Sequence, residues 1–324
     1  QSQFKYLCIL VNTIYYSMKI LKVSIIIIIF LVGASALILY SFYKYNNKEE
    51  KTLTATNRKN IEGSFIKLSK GVTHYQLEGP ANGEVVILVH GFSVPYYIWD
   101  GTYEFLVKNG YKVLRYDMYG RGYSDRPDVA YDKELYNTQL LDLINGLKLQ
   151  GHVNLAGISF GGQMITNFTC QHPGLINKVI LIDPAYENEK PVAPEYFTLF
   201  NEAVNSDQRA WGQVDDFLYP RKHPEWVKRY LPQMRYKGFR NALVSTMYNY
   251  DQNGRQSNTC LNSANKPVLL IWGKKDLTVP IRFSDSIRSV LKVDFFPVAD
   301  AAHLPSIEKP DTVNNKILSF LKEG

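Results

Sequence analysis

The stretch Val153–Gly162, Val-Asn-Leu-Ala-Gly-Ile-Ser-Phe-Gly-Gly, constrains the fold of this chain more than any other. It begins as an apolar strand, turns through Gly157-Ile158-Ser159-Phe160-Gly161, and continues into the helix-compatible run Gln163–Cys170. This is a Gly-x-Ser-x-Gly sequence in a strand–turn–helix setting. A serine on so sharp a turn sits at a strained backbone position. Side chains two residues before and after it would collide, and both places hold glycine. The helix that follows aims its free N–H groups at Ser159, and its dipole favours negative charge there.

Other apolar runs supply the sheet this strand needs. Ser64–Leu68 and Val72–Leu77 read as short strands forming an antiparallel edge, joined by Lys70-Gly71. Val85–Val89 is continuously apolar and feeds the loop His90-Gly91-Phe92-Ser93, as a central strand would. Lys112–Tyr116, Lys178–Ile182, Pro267–Trp272 and Lys292–Pro297 follow as strands. Tyr103–Lys108, Lys133–Leu149 and Thr312–Lys322 read as helices between and after them. The expected fold class is α/β: a mostly parallel eight-stranded sheet with helices on both faces. Its core is expected at residues 61–184 and 266–324. Between these parts, residues 185–265 lack clear strands and are too long for a simple connection. Helix-like pieces at Tyr196–Val204, Trp211–Leu218, Glu225–Gln233 and Ala242–Tyr250 suggest a helical lid over the sheet's C-terminal edge.

Outside this domain, Val23–Tyr43 is uncharged and long enough to span a bilayer as a helix. With Met18-Lys19-Ile20-Leu21-Lys22 before it, residues 18–43 read as a membrane anchor or a signal peptide. Ala34-Ser35-Ala36 offers a cleavage site, whereas the apolar run continuing through Tyr40 favours an anchor. Residues 1–17 read as an upstream extension and 44–60 as a polar linker. The charge of +7 is scattered over the chain, so no basic stripe points to nucleic acid. Cys8, Cys170 and Cys260 are few, odd in number and far apart, suggesting neither a disulfide framework nor a zinc site.

A serine hydroxyl needs a base, and the base needs a third group to hold its tautomer. His303, in Asp-Ala-Ala-His-Leu-Pro between the last strand and last helix, is the candidate base. His90 ends a strand and reads as a brace for its loop. For the acid, Asp276 follows the strand after the lid and completes the order Ser…Asp…His; Asp183, after the preceding strand, is its rival. The Phe160 N–H, just after Ser159, and the Phe92 N–H, in the loop after Val85–Val89, are the candidate donors to an oxyanion. These parts require neither metal nor organic cofactor.

From about Ser64 to Lys322 these motifs resemble the α/β-hydrolase superfamily, in its capped esterase and lipase branch. His90-Gly91-Phe92, Gly120-Arg121-Gly122-Tyr123-Ser124-Asp125, Gly157–Gly162, Trp272–Asp276 and His303-Leu304-Pro305 occur in the superfamily's order. The resemblance implies hydrolysis of carboxylic esters, with monoacylglycerol lipases and carboxylesterases among the nearer relatives. Hydrolases of carbon–carbon bonds in ring-fission products share the motifs. A catalytically silent hydrolase-fold binding protein is the reading from another class. The apolar N-terminal run and the aromatic-rich lid (Tyr196, Phe197, Trp211, Trp226, Tyr230 and others) further suggest a membrane-derived lipid ester as substrate.

Overall fold

In a computed structural model that describes residues 2–187, 190–251 and 253–323, every expected strand is present. The strands are β1 (Ser64–Lys67), β2 (Val72–Glu78), β3 (Val85–Val89), β4 (Lys112–Tyr116), β5 (Val153–Ile158), β6 (Ile176–Ile182), β7 (Val268–Gly273) and β8 (Asp294–Val298). They form one eight-stranded sheet in the order β1-β2-β4-β3-β5-β6-β7-β8. β2 runs antiparallel to both its neighbours, and every pairing from β4 to β8 is parallel. The central strands read as unbroken apolar runs because both faces are covered. Val85, Ile87 and Val89 enter one core and Val86 and Leu88 the other. β7 divides in the same way, with Val268, Leu270 and Trp272 on one side and Leu269 and Ile271 on the other.

The segment between β6 and β7 carries the helices Glu195–Val204, Ser206–Trp211, Glu225–Tyr230, Phe239–Asn249 and Gly254–Ser263. The helix expected over Trp211–Leu218 lies earlier: it ends at Trp211 and gives way to a single 3-10 turn, Gly212–Val214. Gly254–Ser263 was hidden from the sequence because it is polar almost throughout. It packs on the helix Phe160–Gln171, and this packing corrects the reading of the cysteines. Cys170 and Cys260 are joined in a disulfide across the two helices, with Cα atoms 5.8 Å apart and a sequence separation of 90. Spacing along the chain carried no trace of that adjacency.

The chain divides into two compact units, Gln1–Asn47 and Lys48–Gly324. In the first, Ser2–Asn46 is one helix of 45 residues that includes the expected span, with a mean hydropathy of 2.8 in its most apolar window. By length and composition it can cross a membrane. In the second, residues 48–60, expected as a linker, are hydrogen-bonded to the insertion. The N–H groups of Glu50 and Lys51 donate to the Arg235 carbonyl, and Glu49 accepts the N–H groups of Gly238 and Arg240.

Candidate active site

Ser159 stands where β5 meets the helix Phe160–Gln171, with φ 54° and ψ −123°. A non-glycine residue reaches such a conformation only when its surroundings over-determine it. Here the Ser159 N–H donates to the Ile182 carbonyl at 2.9 Å, and its own carbonyl accepts the N–H groups of Gly162 and Ala185 at 3.0 Å each. The flanking glycines are fixed by close approach. A Cβ on Gly157 would lie 2.5 Å from the Gly161 carbonyl oxygen, and one on Gly161 would lie 2.4 Å from those of Val89 and His90.

Ser159 and His303 line one cavity of about 220 Å³, together with Gly91 and Phe92. His303 is buried in the loop after β8, and its Nδ1 lies 2.7 Å from Asp276 Oδ2. A carboxylate only accepts, so the imidazole proton is assigned to Nδ1 and the lone pair to Nε2. Asp276 sits in the loop after β7, and its other oxygen accepts the N–H groups of Thr278 and Val279 at 2.8 and 2.9 Å. Burial pulls the His303 pKa down. The hydrogen bond and charge of Asp276, with Asp216 beyond, outweigh burial and leave the pKa above the ordinary imidazole value. The hydrogen bond therefore joins His303 to Asp276, not to Asp183. Asp183 nevertheless lies close: a ligand atom from each of Asp183, Asp276 and His303 falls within 4.8 Å of the others. As a candidate metal centre this cluster is compromised, since the facing atoms of His303 and Asp276 are bound to one another.

The main chain of the loop after β3 lies against Ser159: a Cβ on Gly91 would be 3.4 Å from Ser159 Cβ and 3.9 Å from its Oγ. Among the described residues, neither the Phe92 nor the Phe160 N–H donates in any turn, loop or cap bond between main-chain groups. The loop is braced from several sides. His90 Nδ1 donates to the Gly91 carbonyl at 2.8 Å, and its Nε2 accepts the Met118 N–H at 2.9 Å. Burial drives the His90 pKa down to about 4 against the pull of Asp117, so the ring is neutral, as that tautomer requires. Arg121 Nε donates to the Phe92 carbonyl at 2.8 Å.

The insertion brings residues that no local sequence signal marks. Arg209, Gln213 and Asp216 line the cavity, and Thr278 joins them from the core. The Asp216 carbonyl accepts the His303 N–H at 3.1 Å, and its side chain accepts the Thr278 hydroxyl at 2.7 Å. Burial raises the Asp216 pKa, with the charge of Asp276 adding to the effect. The insertion's aromatics lie elsewhere. Phe217, Trp226, Tyr230 and Phe239 are buried in the core on one face of the sheet, with Val86, Leu88 and Ile271, and Tyr196, Trp211 and Tyr219 are exposed.

Comparison with known proteins agrees with the fold. The sequence model of the alpha/beta hydrolase fold matches residues 84–310. An AB hydrolase superfamily protein, YisY of Bacillus subtilis, is 24% identical over 271 residues, covering 80% of this chain and 98% of that protein. The 2-hydroxy-6-oxo-6-(2'-aminophenyl)hexa-2,4-dienoic acid hydrolase of Metapseudomonas resinovorans is 24% identical over 289 residues, covering 85% and 96%. Among solved structures, a thermophilic esterase from Thermogutta terrifontis superposes with a TM-score of 0.69 at 23% identity, covering 81% of this chain and 99% of that one. With its sheet topology, its serine at the β5 turn and a family match over most of its length, the chain belongs to the α/β-hydrolase fold family.

Proposed function

We propose that this hydrolase cleaves carboxylic esters through an acyl-enzyme. Ser159 Oγ attacks the carbonyl carbon while His303 Nε2 takes its proton. The same nitrogen returns the proton to the departing alcohol oxygen, leaving the acyl group on Ser159. Water, deprotonated by His303, then attacks the acyl carbon, the Ser159 Oγ–acyl bond breaks, and His303 returns the proton to Oγ as the acid leaves. Asp276 holds the Nδ1–H tautomer and stabilises the imidazolium. The Phe92 and Phe160 N–H groups receive the oxyanion, helped by the N-terminal end of the Phe160–Gln171 helix. One observation carries the reading: a strained serine shares a cavity with a histidine whose far nitrogen is bonded to a buried carboxylate.

A fluorophosphonate probe tests it. Ser159 is expected to be labelled in the folded chain and Ser159→Ala is not. Equal labelling of both rejects the mechanism by moving the nucleophile elsewhere, and labelling of neither rejects it in favour of the silent binding protein.

The cavity also bears on the substrate. At about 220 Å³ it falls below the range that takes drug-sized ligands, and Arg209, Gln213 and Asp216 make part of its wall polar. An ester with a short acyl group fits this better than a long-chain lipid. The lipid reading keeps the support of the N-terminal helix, but the aromatics of the insertion, our proposed lid, add little to it. Carbon–carbon hydrolysis is the second reading, favoured by the polar wall and by the activity for which the Metapseudomonas relative is named. A panel running from acetyl to long acyl esters, with a ring-fission diketone, separates the three. We read the helix as an anchor, with cleavage near Ala36 as the alternative; N-terminal sequencing of the mature protein distinguishes them.

A further inference from the structure

Asp183 directly follows β6 beside the Asp276–His303 pair and has no part in the chemistry above. It is fully buried, and its φ of 41° lies where residues other than glycine are uncommon. Its Oδ1 accepts the Gly273 N–H at 2.8 Å. Its Oδ2 is buried and meets no hydrogen-bond partner among the described residues. Yet its carboxyl belongs to the cluster whose ligand atoms lie within 4.8 Å of one another. Two carboxyls so close and so buried cannot both be ionised. Asp276 is the one suited to carry the charge, because its two oxygens accept from Thr278, Val279 and His303. Asp183 accepts a single bond and has an oxygen to spare for a proton.

We propose that Asp183 is a positioning residue: a neutral carboxylic acid whose Oδ2–H donates to the Asp276 carboxylate, steadying it and moderating the charge that His303 feels. The proposal rests on the triad reading above. Burial, followed by the charge of Asp276, holds the Asp183 carboxyl well above the usual carboxylate range, in agreement with that role. Of the other charged groups nearby, Arg209 in the same cavity is paired with Glu202, and the rest are acidic. Glu308 accepts the N–H groups of Leu218 and Ala302, and Asp216 faces His303 from the insertion. A donor on Asp276 spreads the charge that makes the imidazole basic. Its loss makes His303 more basic and raises the pH below which the site is inactive. An ionised Asp183 would act in the opposite sense, and removing it would make His303 less basic.

The experiment is the rate of fluorophosphonate labelling against pH for the full chain, Asp183→Asn and Asp183→Ala, with thermal melting of each. Asparagine keeps an acceptor for Gly273 and an N–H for Asp276 in a backbone conformation it tolerates. Asp183→Asn is therefore expected to keep the wild-type acid limb and a rate within about three-fold. Asp183→Ala is expected to move that limb up by about one pH unit and to slow labelling roughly ten-fold on the limb. The infrared difference between wild type and Asp183→Asn is expected to contain the carbonyl band of a protonated carboxylic acid at neutral pH. An unmoved limb in a folded Asp183→Ala, a hundred-fold loss in Asp183→Asn, or a band of ionised carboxylate alone would each overturn the proposal. If Asp183→Ala does not fold, the asparagine profile and the infrared band decide. A wild-type chain that is not labelled overturns the triad reading instead, while the infrared band still tests the proton on Asp183.

Discussion

Asp276→Asn puts a number on the tautomer argument. Asp276 faces two demands: Oδ1 accepts the N–H groups of Thr278 and Val279, and Oδ2 accepts the proton on His303 Nδ1. Asparagine has one acceptor oxygen and can meet only one of them. With its oxygen toward Thr278 and Val279, its NH₂ faces Nδ1. The imidazole then moves its proton to Nε2, where it can no longer take one from Ser159. With the amide flipped, the working tautomer survives, but the NH₂ confronts two main-chain N–H groups. Each buried donor left without an acceptor costs about 1–3 kcal/mol, so with both donors part-buried the flip falls toward the lower end of about 2–6 kcal/mol. At about 1.4 kcal/mol per decade, the working arrangement falls roughly 30- to 10⁴-fold in population. The assay is the labelling rate by fluorophosphonate together with hydrolysis of a short-chain nitrophenyl ester, beside a melting curve to establish that the fold is kept. A folded Asp276→Asn within about five-fold of wild type would refute the reasoning, because the tautomer would then not depend on Asp276.

Gly161→Ala pits helix propensity against contact. Alanine would gain up to about 1 kcal/mol in a helix, but its Cβ would fall 2.4 Å from two main-chain carbonyl oxygens, so a net loss of about 1–3 kcal/mol is expected in denaturant melts. An unchanged midpoint would mean that the turn has more room than its geometry allows. The acid limb of kcat/KM should lie above the ordinary imidazole value of about 6.5, because Asp276 raises the His303 pKa and only the neutral ring can take the serine proton. A pH profile with its limb below that value contradicts the assignment. Replacing Cys170 and Cys260 together by serine should cost about 2–4 kcal/mol by freeing the unfolded chain, and no change in melting temperature would show that the link adds nothing.

What the sequence revealed follows from how local each signal is. β3 was read residue by residue because a strand covered on both faces must be apolar at every position. Ser159 was legible because its turn, its glycines and its helix are contiguous. The two acids were harder to separate, since Asp183 and Asp276 both follow core strands. The 2.7 Å contact with His303 distinguishes them, and that contact depends on how two distant loops meet. The insertion was least legible. Its helix Gly254–Ser263 owes its place to a cap at Asn253 and to a disulfide, not to an apolar stripe. Asp216 and Arg209 enter the cavity through tertiary placement alone. The substrate expectation failed to find structural support at the same point: aromatic richness was real, but composition cannot say which way a ring faces.

The insertion is bonded to the loops on which the chemistry depends. The Asp216 carbonyl takes the His303 N–H, and Gln213 accepts the Ser93 hydroxyl. The buried amide of Gln233 spans two core loops, donating to the Ser93 carbonyl and accepting the Gly122 N–H. Arg121, which donates to the Phe92 carbonyl, also reaches Thr246 in the insertion. Lifting the insertion would therefore strip partners from the histidine loop and from the loop expected to bind the oxyanion. Buried polar groups do not lose partners without cost. On the same proposal, an opened insertion would admit substrate to a site lacking these partners, and closure would restore the acceptor for the His303 N–H. On the mechanism we propose, the cover and the catalytic geometry share one hydrogen-bond network, so substrate entry by wide opening and turnover are expected to alternate.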